Sequence, residues 1–197
     1  MAEIMYEEVL LPNGSEGKLA FVLHNAFTHE ECREYIEKTE EMGYTKALLN
    51  IGYGRQVLMT DVRNSSRCIW DSFEEAGKIW NRIREFIPEV WNNRKALCLN
   101  ERLRFLRYDP GEFFLPHMDG SYMRQNGERS YITVQLYLNE GFQGGSTTFL
   151  GQSEKDRVEV VPKTGSILVF QHDIYHEGSL LKEGRKYAMR TDVMYEA

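Results

Sequence analysis

Hydrophobic positions recur at helical spacing in two stretches before about residue 90 and alternate with polar ones from about residue 100 onward. Thr28 and Glu31 form a capping box in front of HEECREYIEKTEEM, and Gly43 stands where that helix should stop. Its stripe is Cys32, Tyr35 and Ile36, extended by Thr39 and Met42. A second helix is predicted over residues 71–87, ending before Pro88, with Phe73, Ala76, Ile79, Trp80, Ile83 and Ile87 on one face. Both stripes read as packing faces against a sheet. Between the helices, IGYGRQVLMTDVRNSSRCIW shows no firm period and reads as a long loop with short strands. Arg55, Arg63 and Arg67 in it are solvated charge on the plainest reading, although a loop of this length can also bind.

From Asn100 the runs ERLRFLRY, EFFLPHM, YITVQLYL, STTFL, RVEVV, SILVF and KYAMRTDVMY are short, β-branched and aromatic, and separated by Gly, Asn, Pro or Asp. Seven or eight closely spaced strands predict an α+β chain with a mainly β core. The expected form is a sandwich or jelly roll whose helices cover an outside face. Long βαβ crossovers are absent, which argues against a doubly wound sheet. A length of 197 residues suits a single domain.

Composition narrows the function classes. With 42% hydrophobic and 27% charged residues the chain is neither disordered nor fibrous. A net charge of −6 weakens the case for a nucleic-acid binder. No apolar stretch approaches the ~20 residues that span a bilayer, and the acidic start MAEIMYEEVL lacks a signal-peptide pattern, so a soluble, cytoplasmic protein with no membrane partner is expected. Cys32, Cys68 and Cys98 are odd in number and form no CxxC pair, which suits reduced thiols used for packing.

Candidate chemistry centres on LPHMDG. His117 and Asp119 stand at i and i+2 at the end of a strand, where both point to one face. A third ligand from a neighbouring strand, His172 or His176, would complete the two-imidazole, one-carboxylate set of non-heme Fe(II) oxygenases. That set leaves coordination positions open for a cosubstrate and dioxygen. The rival is a zinc pair from His172 and His176 at i and i+4 on a helix. Asp173 in place of Glu, the strand pattern before it and Gly178 after it all argue against this. His24 and His29 read as structural.

RYDPGEFFLPHMDG, VQLYLNEGFQGGSTTF and PKTGSILVFQHDIYHEGSLLKEGRKYAMRTDVMY, over roughly residues 99–195, together resemble the catalytic domain of the prolyl 4-hydroxylase-like Fe(II)/2-oxoglutarate dioxygenases. The resemblance implies a double-stranded β-helix over residues 99–197, with residues 1–98 as N-terminal helical support and substrate-loop region of one domain. It implies His117, Asp119 and His176 as iron ligands, because the spacing from HEG to LLKEGRKY selects His176 over His172. Lys186 then matches the anchor for the far carboxylate of 2-oxoglutarate, and Tyr108 and Tyr137 match tyrosines that hold the cosubstrate. Thr148 and Arg190 are further pocket candidates, Arg190 also being the alternative anchor, whereas Arg185 should face away. Arg104, Arg63, Asn64 and Arg67 are substrate-side candidates, and the loop of residues 121–130 is a candidate lid.

The implied cofactors are Fe(II), 2-oxoglutarate and dioxygen, with ascorbate as a stimulant. The implied reaction hydroxylates a side chain, prolyl by preference, of a protein or peptide, releasing succinate and carbon dioxide. A small molecule or free amino acid, an alkylated nucleic acid, or a non-catalytic jelly-roll binding module are the alternatives.

Overall fold

The computed structural model describes residues 3–50 and 55–197. In chain order its main elements are β1 (Met5–Glu8), β2 (Ala20–His24), α1 (His29–Met42), β3 (Thr45–Lys46), β4 (Arg63–Asn64), β5 (Ser66–Asp71) and α2 (Phe73–Ile83). There follow β6 (Arg94–Leu99), β7 (Arg102–Tyr108), β8 (Phe113–His117), β9 (Arg129–Tyr137), β10 (Thr147–Leu150), β11 (Arg157–Val160), β12 (Ile167–Gln171), β13 (His176–Gly178) and β14 (Lys186–Tyr195). The strands form a major antiparallel sheet in the order β1-β2-β12-β9-β14-β7-β5-β3, with β6 pairing on the end of β14. A minor antiparallel sheet runs β11-β10-β13-β8-β4. Two facing antiparallel sheets with helices behind one of them are the double-stranded β-helix with supporting helices.

Period-two alternation decides what each face of the major sheet does. On β9, Ile132, Val134 and Leu136 pack toward the helices, while Thr133, Gln135 and Tyr137 face the minor sheet. On β7, Leu103 and Phe105 join the helix-side core, leaving Arg104, Leu106 and Tyr108 on the inner face. Lys186, Ala188, Arg190 and Asp192 of β14 line that same inner side. One sheet thus presents an apolar back to α1 and α2 and a polar front to the cavity.

Both helices form for the reasons their sequences give. Thr28 Oγ1 accepts from the Glu31 amide, and the Glu31 carboxylate accepts from the Thr28 amide. Glu31 also receives Arg82 of α2 in a fork at 2.9–3.0 Å, clamping the two helices together. Ala76, Ile79 and Ile83 are buried against the sheet. Phe73, expected on that stripe, is 75% exposed at the first position of α2. The predicted second helix is also shorter: α2 stops at Ile83 and tightens into a 3-10 turn over Arg84–Phe86.

Two expectations about the first half are refined. Residues 1–98 are not mainly helical support, since β1 and β2 extend the major sheet beyond β12. Within the stretch read as a long loop with short strands, Ser66–Asp71 is a six-residue strand paired along β7; that long-range ladder supplies the order its local pattern lacks. Residues 51–54 of the same stretch lie outside those described. Residues 121–130, the candidate lid, form a tight hairpin-like turn. Met123 bridges Arg129, and Arg124 is paired with Glu101 and Glu128. No helix among the described residues is long and apolar enough to cross a membrane.

Candidate active site

His117 ends β8 and His176 begins β13, and the two are direct partners across the minor-sheet ladder. A register shift between Phe114 and His117 bends β8 at Pro116, a residue that has no N–H to offer the ladder. The bend turns the His117 ring toward His176, at 4.4 Å between ring centroids. Phe114 stacks on His117 at 3.7 Å and Phe170 meets His176 edge-on at 4.7 Å, fixing both rings.

Asp119 follows two residues beyond the strand end, where its amide donates to the His172 carbonyl at 2.9 Å. Thr133 Oγ1 donates to its Oδ2 at 2.6 Å. Its Oδ1 lies 3.7 Å from His117 Nε2 and 3.8 Å from His176 Nε2. One donor atom from each of the three residues falls within 4.8 Å of the others. Each imidazole uses Nδ1 for a backbone carbonyl, Leu115 at 2.7 Å and Ile174 at 2.9 Å, which leaves both Nε2 lone pairs turned to the common point.

The protonation states suit a divalent metal. Burial pulls the His176 imidazolium down to about 4 against the attraction of Asp119, so the ring is neutral at physiological pH. Burial alone would raise the Asp119 carboxyl, but Arg190 and the two imidazoles overcome it and hold the group well below the carboxylate range. Two neutral nitrogens and one ionised oxygen, with the remaining directions open to a cavity, fit Fe(II).

That cavity is narrow, about 40 Å³, and runs from the three ligand candidates to Lys186. Lys186 is 3% exposed. Its Nζ donates to the Gly145 carbonyl at 2.6 Å and lies 5.2 Å from the Tyr108 ring centre and 5.7 Å from that of Tyr137. Burial lowers its ammonium to about 8. Glycines keep this corner open: at Gly145 (φ +70°) a Cβ would press on Lys186 Cδ at 3.3 Å, and at Gly144 (φ +76°) it would collide with the Leu180 carbonyl oxygen.

The other candidates divide. Tyr108 lines the cavity beside Lys186, its cross-strand partner. Tyr137 lies one layer behind, its hydroxyl donating to Thr147 Oγ1 at 2.8 Å. Thr147, not Thr148, faces the cavity; Thr148 exchanges a hydrogen bond with Ser179 at 2.7 Å. Arg190 lines the cavity at the metal end, 3.2 Å from Asp119 Oδ1 and 3.3 Å from Asp192 Oδ1. Arg185 turns outward to Asp109. Arg63, Arg67 and Arg104 line a second, larger cavity of about 570 Å³ that shares His117, Asp119 and Arg190 with the first. Asn64 does not reach either and accepts from Lys46 instead. His172 stays out of the ligand cluster, with Nε2 3.4 Å from Asp192 Oδ1.

Sequence reasoning missed Gln135, whose amide donates to Thr147 Oγ1 at 2.9 Å beside the cavity, and Asp192, which pairs with Arg104 and Arg190. The signal was present in each strand. Thr133, Gln135 and Tyr137 are polar positions two apart within an apolar run, and Lys186, Arg190 and Asp192, four and two apart, likewise share one face of β14.

Residues 103–191 match the sequence profile of the 2OG-Fe(II) oxygenase superfamily. The chain is similar to "Probable prolyl 4-hydroxylase 8" of Arabidopsis thaliana, 28% identical over 172 residues, covering 77% of this chain and 57% of that protein. The chain therefore spans little more than half the length of the curated relatives it matches. Among solved structures, a Pseudomonas putida prolyl-4-hydroxylase superposes with a TM-score of 0.64 at 17% identity, covering 91% of this chain and 94% of that one. A Trichoplax adhaerens prolyl hydroxylase, solved with a peptide fragment of the hypoxia inducible factor oxygen degradation domain, gives 0.67 at 15% identity, covering 91% and 84%. At these identities the structural likeness establishes the shared fold alone. Over residues 103–191 the chain is thus similar to the 2OG-Fe(II) oxygenase superfamily, and among curated proteins it resembles the prolyl 4-hydroxylases.

Proposed function

We propose that the protein is an Fe(II)- and 2-oxoglutarate-dependent hydroxylase acting on a side chain, prolyl in the first instance, of a protein or peptide. The observation that carries the reading is the convergence of His117, Asp119 and His176 on one point with a buried lysine closing the far end of the cavity that leaves it. His117, Asp119 and His176 would hold the metal, and the metal and 2-oxoglutarate would supply the oxidising chemistry, with succinate and carbon dioxide as products. Lys186 would turn from the Gly145 carbonyl to the far carboxylate of the cosubstrate. A buried ammonium costs several kcal/mol unless it is paired, and a dicarboxylate is the partner it lacks. Tyr108 supports that carboxylate, while Tyr137 acts through Thr147. Thr133 and Arg190 keep Asp119 ionised and oriented. The aromatic rings around both histidines exclude water from the metal's protein side.

Three further expectations belong to the same reading. Residues 1–197 form one domain, in which the N-terminal strands and helices complete the catalytic barrel. The free thiols of Cys32, Cys68 and Cys98 support a cytoplasmic setting. A polypeptide substrate is favoured by the resemblance to prolyl 4-hydroxylases and by an outer cavity of about 570 Å³ that opens beside the ligand candidates.

The test is substrate-stimulated succinate formation across proline-containing peptides, free amino acids and alkylated oligonucleotides, with the modified residue located by mass spectrometry. A +16 Da prolyl product in a peptide is the expected result. Succinate release stimulated only by another class would overturn the substrate assignment, and its absence throughout would leave a binding module.

A further inference from the structure

The outer cavity is unusually rich in cations for a site that would receive a neutral prolyl ring. Four guanidiniums line it, those of Arg63, Arg67, Arg104 and Arg190, against two carboxylates, Asp119 and Asp192. Asp119 is committed to the metal cluster, and Asp192 is already shared between Arg104 and Arg190 at 3.3 Å each. Arg104 and Arg190 are direct cross-strand partners, a like-charge pairing that would be unfavourable without that shared carboxylate.

Arg63 and Arg67 have no such partner among the described residues. Arg63 reaches the cavity from β4, its guanidinium 4.6 Å over the Phe114 ring, with a buried Nε that makes no hydrogen bond. Arg67 is opposite Leu106 in the ladder and gives Nη2 only to the neutral Gln56 amide at 2.7 Å. Burial lowers both from the ordinary guanidinium range, as expected of cations short of counter-charge. The imbalance is local, since the whole chain carries −6. A cleft of net positive charge within a protein of net negative charge focuses its field on an incoming anion.

We propose that the outer cavity recognises a substrate bearing a carboxylate beside the carbon to be oxidised, held by the guanidiniums of Arg63 and Arg67, which line that cavity together with the metal ligands and have no carboxylate partner among the described residues. This inference rests on the hydroxylase reading and names the charge class of its substrate. Planar forks that match a carboxylate bidentately make arginine suited to the task. The carboxylate can belong to an acidic residue flanking the target in a peptide, or to a small free acid.

The test uses the full chain loaded with Fe(II) and 2-oxoglutarate under exclusion of oxygen. Binding is measured by fluorescence anisotropy for labelled proline peptides identical except for Asp, Ser, phosphoserine or Lys beside the proline, with unlabelled proline-containing dipeptides and free N-acyl amino acids as competitors. The Asp peptide, or a free acid over its amide, should bind about tenfold tighter than the neutral counterpart, as expected for one charge-assisted hydrogen bond. Raising salt should erode that preference selectively. Arg67→Gln and Arg63→Gln should each remove most of it, and Arg67→Gln carries the test if Arg63→Gln does not fold. Indifference to charge, preference for the phosphopeptide alone, binding to none of the ligands, or full preference retained in Arg67→Gln would overturn the inference. Metal and 2-oxoglutarate loading are titrated in the same samples. Normal loading with charge-blind binding defeats only the carboxylate assignment, whereas failed loading defeats the hydroxylase reading beneath it.

Discussion

Lys186 is a cation held in a corner between two tyrosine rings, with a single backbone carbonyl as hydrogen-bond partner. Arg190, four residues along the same face of β14, has two carboxylates within 3.3 Å. The contrast separates their roles: Arg190 already serves Asp119, and Lys186 is the cation short of an anion. Burial sets the Lys186 ammonium at about 8, so the free protein loses this charge as pH rises through that value. A bound carboxylate favours the charged form and raises the pKa again. Binding of 2-oxoglutarate should therefore take up a proton above about pH 8 and none well below it, weakening as pH rises. Calorimetry in buffers of differing ionisation enthalpy reads this directly. Lys186→Ala should abolish the proton uptake and weaken cosubstrate binding far more than metal binding; uptake that persists would place the titrating group elsewhere.

At the scale of elements, the strands after residue 100 were legible as short β-branched and aromatic runs closed by turn residues, and α1 was legible to its caps. What escaped did so for identifiable reasons. AFVLH of β2 is a continuous apolar run buried on both faces, with no period to betray a strand. SRCIWD of β5 mixes polar and apolar residues and becomes a strand through its pairing with β7. Thr148 was chosen where Thr147 faces the cavity, the error that a one-residue slip in register makes on a pleated strand. The histidine pair was readable as strand-end residues, but their direct pairing depends on the bend at Pro116. The turn at Gly144–Gly145 was legible as close backbone approach and is the element that presents a carbonyl to Lys186. Gly144→Ala should lower stability by about 1–3 kcal/mol, since the positive φ and the Leu180 carbonyl both oppose a Cβ. It should also weaken 2-oxoglutarate binding by disturbing the Lys186 corner. Chemical denaturation alongside ligand titration tests both, and an unchanged midpoint would mean the turn relaxes freely.

Across the whole molecule the two sheets have separate duties. The minor sheet and the turn after it bring together the ligand candidates, from β8, β13 and Asp119. The major sheet contributes the cations that face them, held flat by a back packed against α1 and α2. The first half of the chain is continuous with this arrangement: β2 extends the major sheet past β12, while β4 edges the minor sheet and carries Arg63 into the cavity. The central claim is that the sheets meet at one iron site. It is tested most directly by anaerobic Fe(II) titration of the wild-type protein and of His117→Ala, Asp119→Ala and His176→Ala, with 2-oxoglutarate present and the iron-to-cosubstrate charge-transfer absorbance as readout. One Fe(II) per chain in the wild type, with the absorbance lost in all three variants while each retains its fold by circular dichroism, is the predicted result; an undiminished signal in Asp119→Ala or His176→Ala would contradict it.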